Sequence, residues 1–227
     1  IDTMKCEVAR QALDAGACMV NDVSALKASP DMAALIARAY VPVVLMHMRG
    51  APETMQRDTK YDDLVGEVAA FLRDRAESAV AAGLPGDKIL VDPGIGFGKS
   101  VGGNLLILKR LHALGELGYP ILVGASRKSF IGAVLDLPVE DRLQGGLAVA
   151  AFAAAQGAHV VRTHDVACDV RDRQRIRRRA RRLPRRRTID RGGGSFAANP
   201  ADRARSAWCA GRPGRRSSQG RCRMACP

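Results

Sequence analysis

Helix-forming stretches alternate with short apolar runs through the first 166 residues, and a glycine usually separates the two. Residues 4–15 form a helix-like stretch that ends at Gly16, ahead of an apolar run over 17–21, and residues 62–82 end at Gly83 in the same way. Glycine suits the position just past a helix, because it has no Cβ to clash in the left-handed conformation found there. The pattern therefore predicts a series of helices, each followed by a strand.

Six apolar runs have the length and continuity of strands covered on both faces of a parallel sheet. The run over 41–47 fits the series, although Tyr40 stands where the other repeats have glycine. Ser29 followed by Pro30 predicts the start of a helix, since serine caps helices and proline suits the first helical position. We expect the six strands to end near Thr3, Asp22, His47, Asp92, Ala125 and Arg162.

Alternating strands and helices predict an α/β fold with a parallel sheet, either open and doubly wound or closed into a (β/α)8 barrel. Six strands are two fewer than such a barrel has. No apolar run is long enough to cross a membrane, and Ile1 to Lys5 contain no signal-peptide pattern, so we expect a cytoplasmic protein.

The formal net charge of +13 comes entirely from the end of the chain. Residues 1–166 hold 17 Lys and Arg against 19 Asp and Glu, whereas residues 167–227 hold 19 against 4. The stretch 171–187 is mostly arginine without an apolar helical stripe, so we expect the tail 167–227 to be disordered or translated out of frame. Nucleic-acid binding through this tail is an alternative function, although Phe196 and Trp208 are its only aromatic residues.

Polar side chains collect where the predicted strands end. In a barrel these positions face one rim, where the active sites of this architecture lie. For any single Asn or Asp, capping of the following helix is an equally good interpretation. The set comprises Asp2, Asn21, Asp22, His47, Asp92, Ser126, Arg127, Lys128, Arg162 and His164.

The glycine-rich segment 92–100 fits neither common phosphate-binding motif. A Walker A motif would need glycine in place of Pro93, and the dinucleotide fingerprint would need glycine in place of Lys99. What remains is a flexible loop after a buried strand, with Asp92 at its base and Phe97 able to stack on a planar ligand.

The segment 126–129 follows a predicted strand and opens a predicted helix. Backbone N–H groups at a helix start, together with Arg127 and Lys128, would favour a carboxylate or a phosphate. Ordinary surface cations at a solvated helix start are the alternative. His47 also has two interpretations, since a core histidine held by hydrogen bonds fits as well as a ligand contact.

Taken together, the order and spacing of these segments resemble dihydropteroate synthase over residues 1–166. The resemblance implies a TIM barrel that binds a pterin deep inside and para-aminobenzoate near the rim. It also implies a transferase of folate biosynthesis, a target of sulfonamides, that joins 6-hydroxymethyl-7,8-dihydropterin pyrophosphate to para-aminobenzoate and releases 7,8-dihydropteroate and pyrophosphate. The segments are Ile1-Asp2-Thr3, Asn21-Asp22-Val23-Ser24, Leu45-Met46-His47-Met48-Arg49-Gly50, Asp92-Pro93-Gly94-Ile95-Gly96-Phe97-Gly98-Lys99, Gly124-Ala125-Ser126-Arg127-Lys128-Ser129-Phe130 and Arg162-Thr163-His164-Asp165.

The resemblance also assigns roles to individual residues. Those that would bind the pterin are Asp2, Asn21, Asp92, Lys128 and Arg162. Those that would bind para-aminobenzoate are Phe97, Ser126 and Lys128. Arg162 and His164 would bind pyrophosphate, and the catalytic set would be Lys128, Arg162 and His164. Mg²⁺ would accompany the pyrophosphate as cofactor, held by a family ligand outside this chain.

Measured against that family pattern, residues 1–166 would supply strands three to eight of the barrel, without the first two strands, and the tail would replace the eighth helix. We therefore expect little activity from this chain alone. Because intact members of the family commonly form homodimers, the resemblance also implies a homodimer. The pterin-binding domain of a corrinoid-linked methyltransferase is an alternative, but Ser126-Arg127-Lys128 argues against it, because that domain has no para-aminobenzoate to bind.

Overall fold

The computed structural model describes residues 1–50 and 54–168. Apart from its first two positions, the predicted basic tail lies outside the described residues. Within the described part of the chain, no helix is both long enough and apolar enough to cross a membrane.

Short parallel strands alternate with helices along the chain, which confirms the predicted α/β class. The strands are β1 (Val20–Asp22), β2 (Val43–Met46), β3 (Ile89–Asp92), β4 (Leu122–Gly124) and β5 (Val160–Arg162). The α-helices are α1 (Cys6–Asp14), α2 (Met32–Ala39), α3 (Leu64–Ala81), α4 (Val101–Lys109), α5 (Ser129–Leu135) and α6 (Leu143–Ala155). Short 3₁₀ helices cover Gly86–Lys88, Leu111–Leu117 and Val139–Asp141.

Hydrogen bonding places the strands side by side in chain order. β1 pairs with β2, β2 with β3, and β4 with β5, all in parallel. Single parallel bridges from Asp2 to Asn21 and from Val91 to Ile121 extend the series at its start and join β3 to β4. The strand that we predicted near Thr3 is thus reduced to one bridge, whereas the other five predicted strands are confirmed.

β2, β3 and β4 are buried on both faces, as the continuous apolar runs predicted, whereas β5 is only partly buried. Val43 and Leu45 of β2 belong to a core cluster that also contains Ile36 of α2. Val44, between them, instead packs in a separate cluster with Leu90 of β3. Successive strand residues point to opposite faces, so the two clusters lie on opposite sides of the sheet.

Tyr40 takes the backbone conformation that the repeating pattern predicts for glycine. It follows α2 with a φ of 56° and a ψ of 38°, and its N–H donates to the carbonyl oxygens of Ile36 and Ala37. A left-handed residue with a Cβ costs roughly 1–2 kcal/mol. Its ring is exposed and lies 4.7 Å from the ammonium of Lys88. The position therefore follows the pattern in backbone geometry but not in residue type.

Ser29 does not begin a helix as predicted. α2 begins at Met32, and its N-terminal flanking residue, Asp31, makes no side-chain capping hydrogen bond. The hydroxyl of Ser29 instead donates to the carbonyl oxygen of Met4 at 2.9 Å and accepts from the N–H of Cys6 at 3.4 Å. Ser29 therefore caps the start of α1, a distant partner that the local sequence does not reveal.

Candidate active site

The carboxyl ends of the strands bring together three predicted site residues that are far apart in the sequence. Asp2 precedes β1, Asn21 lies within β1, and Arg162 ends β5. One carboxylate oxygen, Asp2 Oδ2, accepts from Asn21 Nδ2 at 2.9 Å and lies 3.1 Å from Arg162 Nη2. We call these carboxyl ends, with the residues that follow them, the rim.

Asn21 presents a buried polar atom that lacks a partner. Its backbone is fixed, because its N–H donates to Ile1 and its carbonyl oxygen accepts from Thr3. Its amide oxygen Oδ1 has no hydrogen-bond partner among the described residues, although it is buried. Leaving such an acceptor unsatisfied costs about 1–3 kcal/mol. A ligand that donates a hydrogen bond to this oxygen would remove that cost.

Asp92 and Lys128 form an interacting pair of opposite charge at the base of the rim. Asp92 ends β3 and accepts from the N–H of Gly94 at 2.7 Å through Oδ1. Burial raises the pKa of Asp92 above its ordinary value, and the charge of Lys128 opposes that rise. Burial lowers the pKa of Lys128 to about 8, opposed by the charge of Asp92.

Lys128 also reaches the glycine-rich loop, as the predicted para-aminobenzoate site requires. Its ammonium donates to the carbonyl oxygen of Ile95 and lies 4.4 Å from the ring centroid of Phe97. A cation at this distance is attracted to the face of an aromatic ring. Phe97 and Lys128 are therefore brought together, next to Asp92.

Ser126 and His164 form a second pair on the rim. Nδ1 of His164 lies 3.1 Å from the Ser126 hydroxyl, and the backbone N–H of His164 donates to the same oxygen at 3.3 Å. The two residues follow β4 and β5, which are neighbours in the sheet. His164 is an exposed residue of the rim.

Arg127 and Lys128 do not converge on one anion site, contrary to the prediction. The guanidinium of Arg127 makes two hydrogen bonds to the carboxylate of Asp165, at 2.9 and 3.1 Å. Arg127 has a φ of 55°, and this left-handed turn directs its side chain to a different partner from that of Lys128. α5, which follows, has only seven residues. The charge of Arg127 is thus used within the fold.

Asp22 has a structural role close to the alternative interpretation of strand-end carboxylates, but it caps the turn after β1 and not the following helix. It is fully buried. Oδ1 accepts from the N–H and the hydroxyl of Ser24, at 2.8 and 2.6 Å, and Oδ2 accepts from the N–H of Leu26 at 3.1 Å. Both oxygens are used in holding the turn after β1, so Asp22 is structural.

His47 is a core histidine, which decides between its two interpretations. Its ring makes an edge contact with Phe71 at 5.0 Å, and its Nδ1 lies 2.9 Å from Nζ of Lys99. Burial and the nearby charge of Lys99 lower the pKa of His47 to about 3. The imidazole is therefore uncharged near neutral pH.

Lys99 is the buried charged residue that sequence reasoning missed. Only 3% of its surface is exposed, and burial lowers its pKa to about 7. In the sequence it excluded a dinucleotide fingerprint and ended one of the family-like segments, but it was given no role of its own. A usable signal was present, because Lys99 is the single charged residue between Asp92 and Lys109.

The described residues offer no preformed metal centre. Within residues 1–50 and 54–168, no group of three or more His, Cys, Asp or Glu side chains is arranged to hold a metal ion. The predicted Mg²⁺ therefore has no preformed cluster of this kind in the described part of the chain.

Residues 1–164 match the model of one protein family, described as pterin binding enzyme. The match extends from the bridge at Asp2 to the residues after β5, and so covers the whole rim. This chain belongs to the pterin binding enzymes.

Curated relatives within this family are dihydropteroate synthases. The Synechocystis dihydropteroate synthase is 48% identical over 167 residues, which make up 73% of this chain and 58% of that protein. The chain thus spans less than two thirds of the length of this relative.

Solved structures of pterin binding enzymes lead to the same family. Xanthomonas albilineans dihydropteroate synthase with 4-aminobenzoic acid matches with a TM-score of 0.74 at 43% identity, over 81% of this chain and 64% of that chain. The dihydropteroate synthase from the same organism in complex with 7,8-dihydropteroate matches with a TM-score of 0.73 at 43% identity, over 81% of this chain and 66% of that chain. The predicted resemblance to dihydropteroate synthase is confirmed.

Proposed function

We propose that this chain carries part of the active site of a dihydropteroate synthase. This transferase condenses 6-hydroxymethyl-7,8-dihydropterin pyrophosphate with para-aminobenzoate and releases 7,8-dihydropteroate and pyrophosphate. The observation that supports the proposal most directly is the network in which Asp2 joins Asn21 to Arg162, beside the pair formed by Asp92 and Lys128. These five residues are the ones that the family resemblance assigns to the pterin.

The acceptors on the rim suit the donor-rich edge of a pterin. Carboxylates of Asp2 and Asp92 accept from amino and ring N–H groups, and the unpartnered amide oxygen of Asn21 can accept one more. Filling that acceptor recovers about 1–3 kcal/mol that the ligand-free site forgoes. Lys128 would donate to the carbonyl side of the same ring.

Arg162 would leave Asp2 when the pterin binds. Both side chains are about half exposed, so their ion pair is screened by water and contributes at most about 1 kcal/mol. A ligand can therefore displace the guanidinium from the carboxylate at low cost. The freed planar guanidinium would then lie against the face of the pterin, as such groups stack on flat π-systems.

The reaction replaces one bond at the methylene carbon of the pterin. The amine nitrogen of para-aminobenzoate forms a C–N bond to this carbon, while the C–O bond to pyrophosphate breaks. Pyrophosphate takes the electron pair of that bond, and the amine releases a proton. Stabilising the departing anion is then the main catalytic task, and Arg162 and His164 are the rim residues proposed for it.

Para-aminobenzoate would lie between the glycine-rich loop and the residues that follow β4. Phe97 offers a ring face, and the neighbouring Lys128 and Ser126 offer a cation and a hydroxyl for the carboxylate. Ser126 already holds His164 by two hydrogen bonds, so the same hydroxyl would link the para-aminobenzoate and pyrophosphate sites.

Mg²⁺ enters the proposal only as a companion of pyrophosphate. When bound, it would neutralise phosphate charge, which suits a hard cation with oxygen ligands. The described residues hold no cluster of three or more His, Cys, Asp or Glu side chains for it, and the roles proposed for the rim residues do not depend on it.

The remaining parts of the proposal concern assembly. We take the strand series to be part of a (β/α)8 barrel, which the ion pair between its first and last members supports. A homodimer, a cytoplasmic location and nucleic-acid binding by the tail stay predictions. The corrinoid-linked alternative is not favoured, because the curated relatives and structures are dihydropteroate synthases.

Binding of 6-hydroxymethyl-7,8-dihydropterin pyrophosphate tests the proposal. We expect isothermal titration calorimetry to show binding by this chain that Asp92→Asn weakens by at least about tenfold, the loss of one hydrogen bond to a charged group. Asp87→Asn is the matched control, since Asp87 is exposed in the 3₁₀ helix that precedes β3.

Two outcomes would contradict the proposed function. One is the absence of binding by a chain whose circular dichroism spectrum shows it to be folded, and the other is equal binding by the Asp92 and Asp87 variants. Release of pyrophosphate on adding para-aminobenzoate, measured on the same sample, tests the separate prediction that this chain alone has little activity.

A further inference from the structure

Lys99 lies in the interior, where an acceptor faces each of the three N–H donors of its ammonium group. Burying a lysine is costly unless its polar head is hydrogen-bonded. Nζ lies 2.9 Å from His47 Nδ1 and donates to the carbonyl oxygens of Phe97 at 2.8 Å and of His47 at 3.4 Å. Three acceptors thus face a group that has three donors when charged.

These acceptors belong to two different elements of the site. His47 directly follows β2, whereas Phe97 lies in the middle of the glycine-rich segment 92–100. We call residues 94–98 of that segment the glycine loop. Lys99 therefore ties the glycine loop to the end of a core strand. The uncharged imidazole of His47 can accept from Lys99, because the pKa of His47 is lowered to about 3.

The glycine loop needs such an anchor for physical reasons. Three of its five residues are glycines with positive φ angles, 68° at Gly94, 82° at Gly96 and 64° at Gly98. Glycine loses more conformational freedom on folding than any other residue, so contacts from outside the loop are needed to offset the entropy cost of ordering it.

Other contacts also hold the loop. Asn104 of α4, which is itself buried, accepts from the N–H of Gly96 at 2.6 Å, and two further contacts come from the segment after β2. Gln56 donates to the carbonyl oxygen of Gly96 at 2.8 Å on the surface, and the hydroxyl of Tyr61 donates to that of Gly98 at 2.8 Å in a half-buried position. Lys99 is the buried side chain that joins the loop to the end of β2.

We infer that Lys99 is a positioning residue of this site, which fixes the glycine loop to β2 and thereby holds the ring of Phe97 beside the ammonium of Lys128. The role assigned here rests on the proposed function, since it is the aminobenzoate half of the product that would lie against Phe97. Lys99 itself need not touch a substrate.

Hydrogen exchange of the free protein tests the anchoring directly. We compare Lys99→Met, which keeps the chain length but removes the donors, with Lys109→Met, the same change at an exposed site on α4. The amide of Phe97, which donates to Gly94 at 3.0 Å, should exchange at least about tenfold faster in Lys99→Met only. Equal protection in the two variants, with strand amides protected in both, would overturn the inference.

A spectroscopic readout separates this specific contact from general loosening. In the unsubstituted chain, the ¹⁵N shift of His47 Nδ1 should be that of a ring nitrogen that accepts a hydrogen bond. Lys99→Met should move this shift, whereas Lys109→Met should leave it unchanged. An unchanged shift in Lys99→Met contradicts the contact.

Ligand binding then tests the positioning role. Lys99→Met should weaken binding of 7,8-dihydropteroate by at least about fivefold and that of 6-hydroxymethyl-7,8-dihydropterin pyrophosphate by less than about twofold, a difference of about 0.5 kcal/mol or more. Equal weakening of both, or of neither, overturns the role. If the unsubstituted chain binds neither compound, the proposed function fails, while hydrogen exchange still decides whether Lys99 anchors the loop.

Discussion

Asp2 and Arg162 form an ion pair of 3.1 Å between the two ends of the strand series. Asp2 bridges to β1 at one end, and Arg162 is the last residue of β5 at the other. Strands that pair only with their neighbours reach across in this way when the sheet curves round on itself. The curvature brings the first and last polar strand ends together on the rim.

A double-mutant cycle measures how firmly this ion pair is held. We expect Asp2→Asn, Arg162→Met and the double variant to give a coupling free energy of at most about 1 kcal/mol, because the two side chains remain 44% and 51% exposed. Urea unfolding of the four chains gives the value, and 1 M salt should reduce it further.

A large coupling would have a different meaning. A value above about 2 kcal/mol would mean that the pair holds the two ends of the strand series together. Arg162 would then be bound too tightly to leave Asp2 for a pterin, as we propose. Arg110→Met, at the exposed end of α4, serves as the control for loss of an arginine.

Much of the rim could be predicted from the sequence because it follows from a repeat. Each strand ends where its apolar run meets a polar residue, and parallel strands place those ends at one edge. Asp2, Asn21 and Arg162 were therefore expected to lie close together, and their hydrogen bonds confirm it. The same repeat predicted the left-handed conformation that Tyr40 adopts without being glycine.

What the sequence did not reveal are partners that depend on three-dimensional contact. Arg127 pairs with Asp165, and the hydroxyl of Ser29 reaches Met4, through contacts 38 and 25 residues apart along the chain. Local composition predicted a cation site and a helix start at these positions instead. Lys99 belongs to the same group, since its acceptor His47 lies 52 residues away.

Gly94 should tolerate no side chain, because of how the glycine loop meets β2. Its φ is 68°, and a Cβ built there would overlap the carbonyl oxygen of His47. We expect Gly94→Ala to lower the free energy of unfolding by about 3 kcal/mol or more, since both the backbone and the strand end would have to move. Urea unfolding measures this loss.

Gly102→Ala is the matched control for this substitution. Gly102 lies in the first turn of α4, and a Cβ there meets no atom within 4 Å. Alanine is the better helix former, so this variant should be unchanged or stabilised by up to about 1 kcal/mol. Equal unfolding midpoints for the two variants would show that the loop does not press against His47.

His47 should make the fold sensitive to acid below neutral pH. Its pKa is about 3 in the folded chain, against an ordinary value of 6.5, so the unfolded chain binds a proton between these values and the folded chain does not. Stability therefore falls as the pH decreases from about 6.5 toward 3, by up to about 1.4 kcal/mol per pH unit. Burial is the main cause of the lowered pKa of His47, and the positive charges of Lys99 and Arg49 near the ring lower it further.

Comparison with His47→Gln isolates this effect from other groups. The amide oxygen of glutamine can still accept from Lys99, but it does not titrate. Asp92, whose pKa is raised by burial, gives the opposite trend, because its folded form binds a proton first as the pH falls. That trend is common to both chains, so it cancels in the difference between them. Urea unfolding from pH 7.5 to 4.5 should show the unsubstituted chain losing stability relative to the variant, whereas parallel curves would mean that the imidazole gains its proton in the folded state at an ordinary pKa.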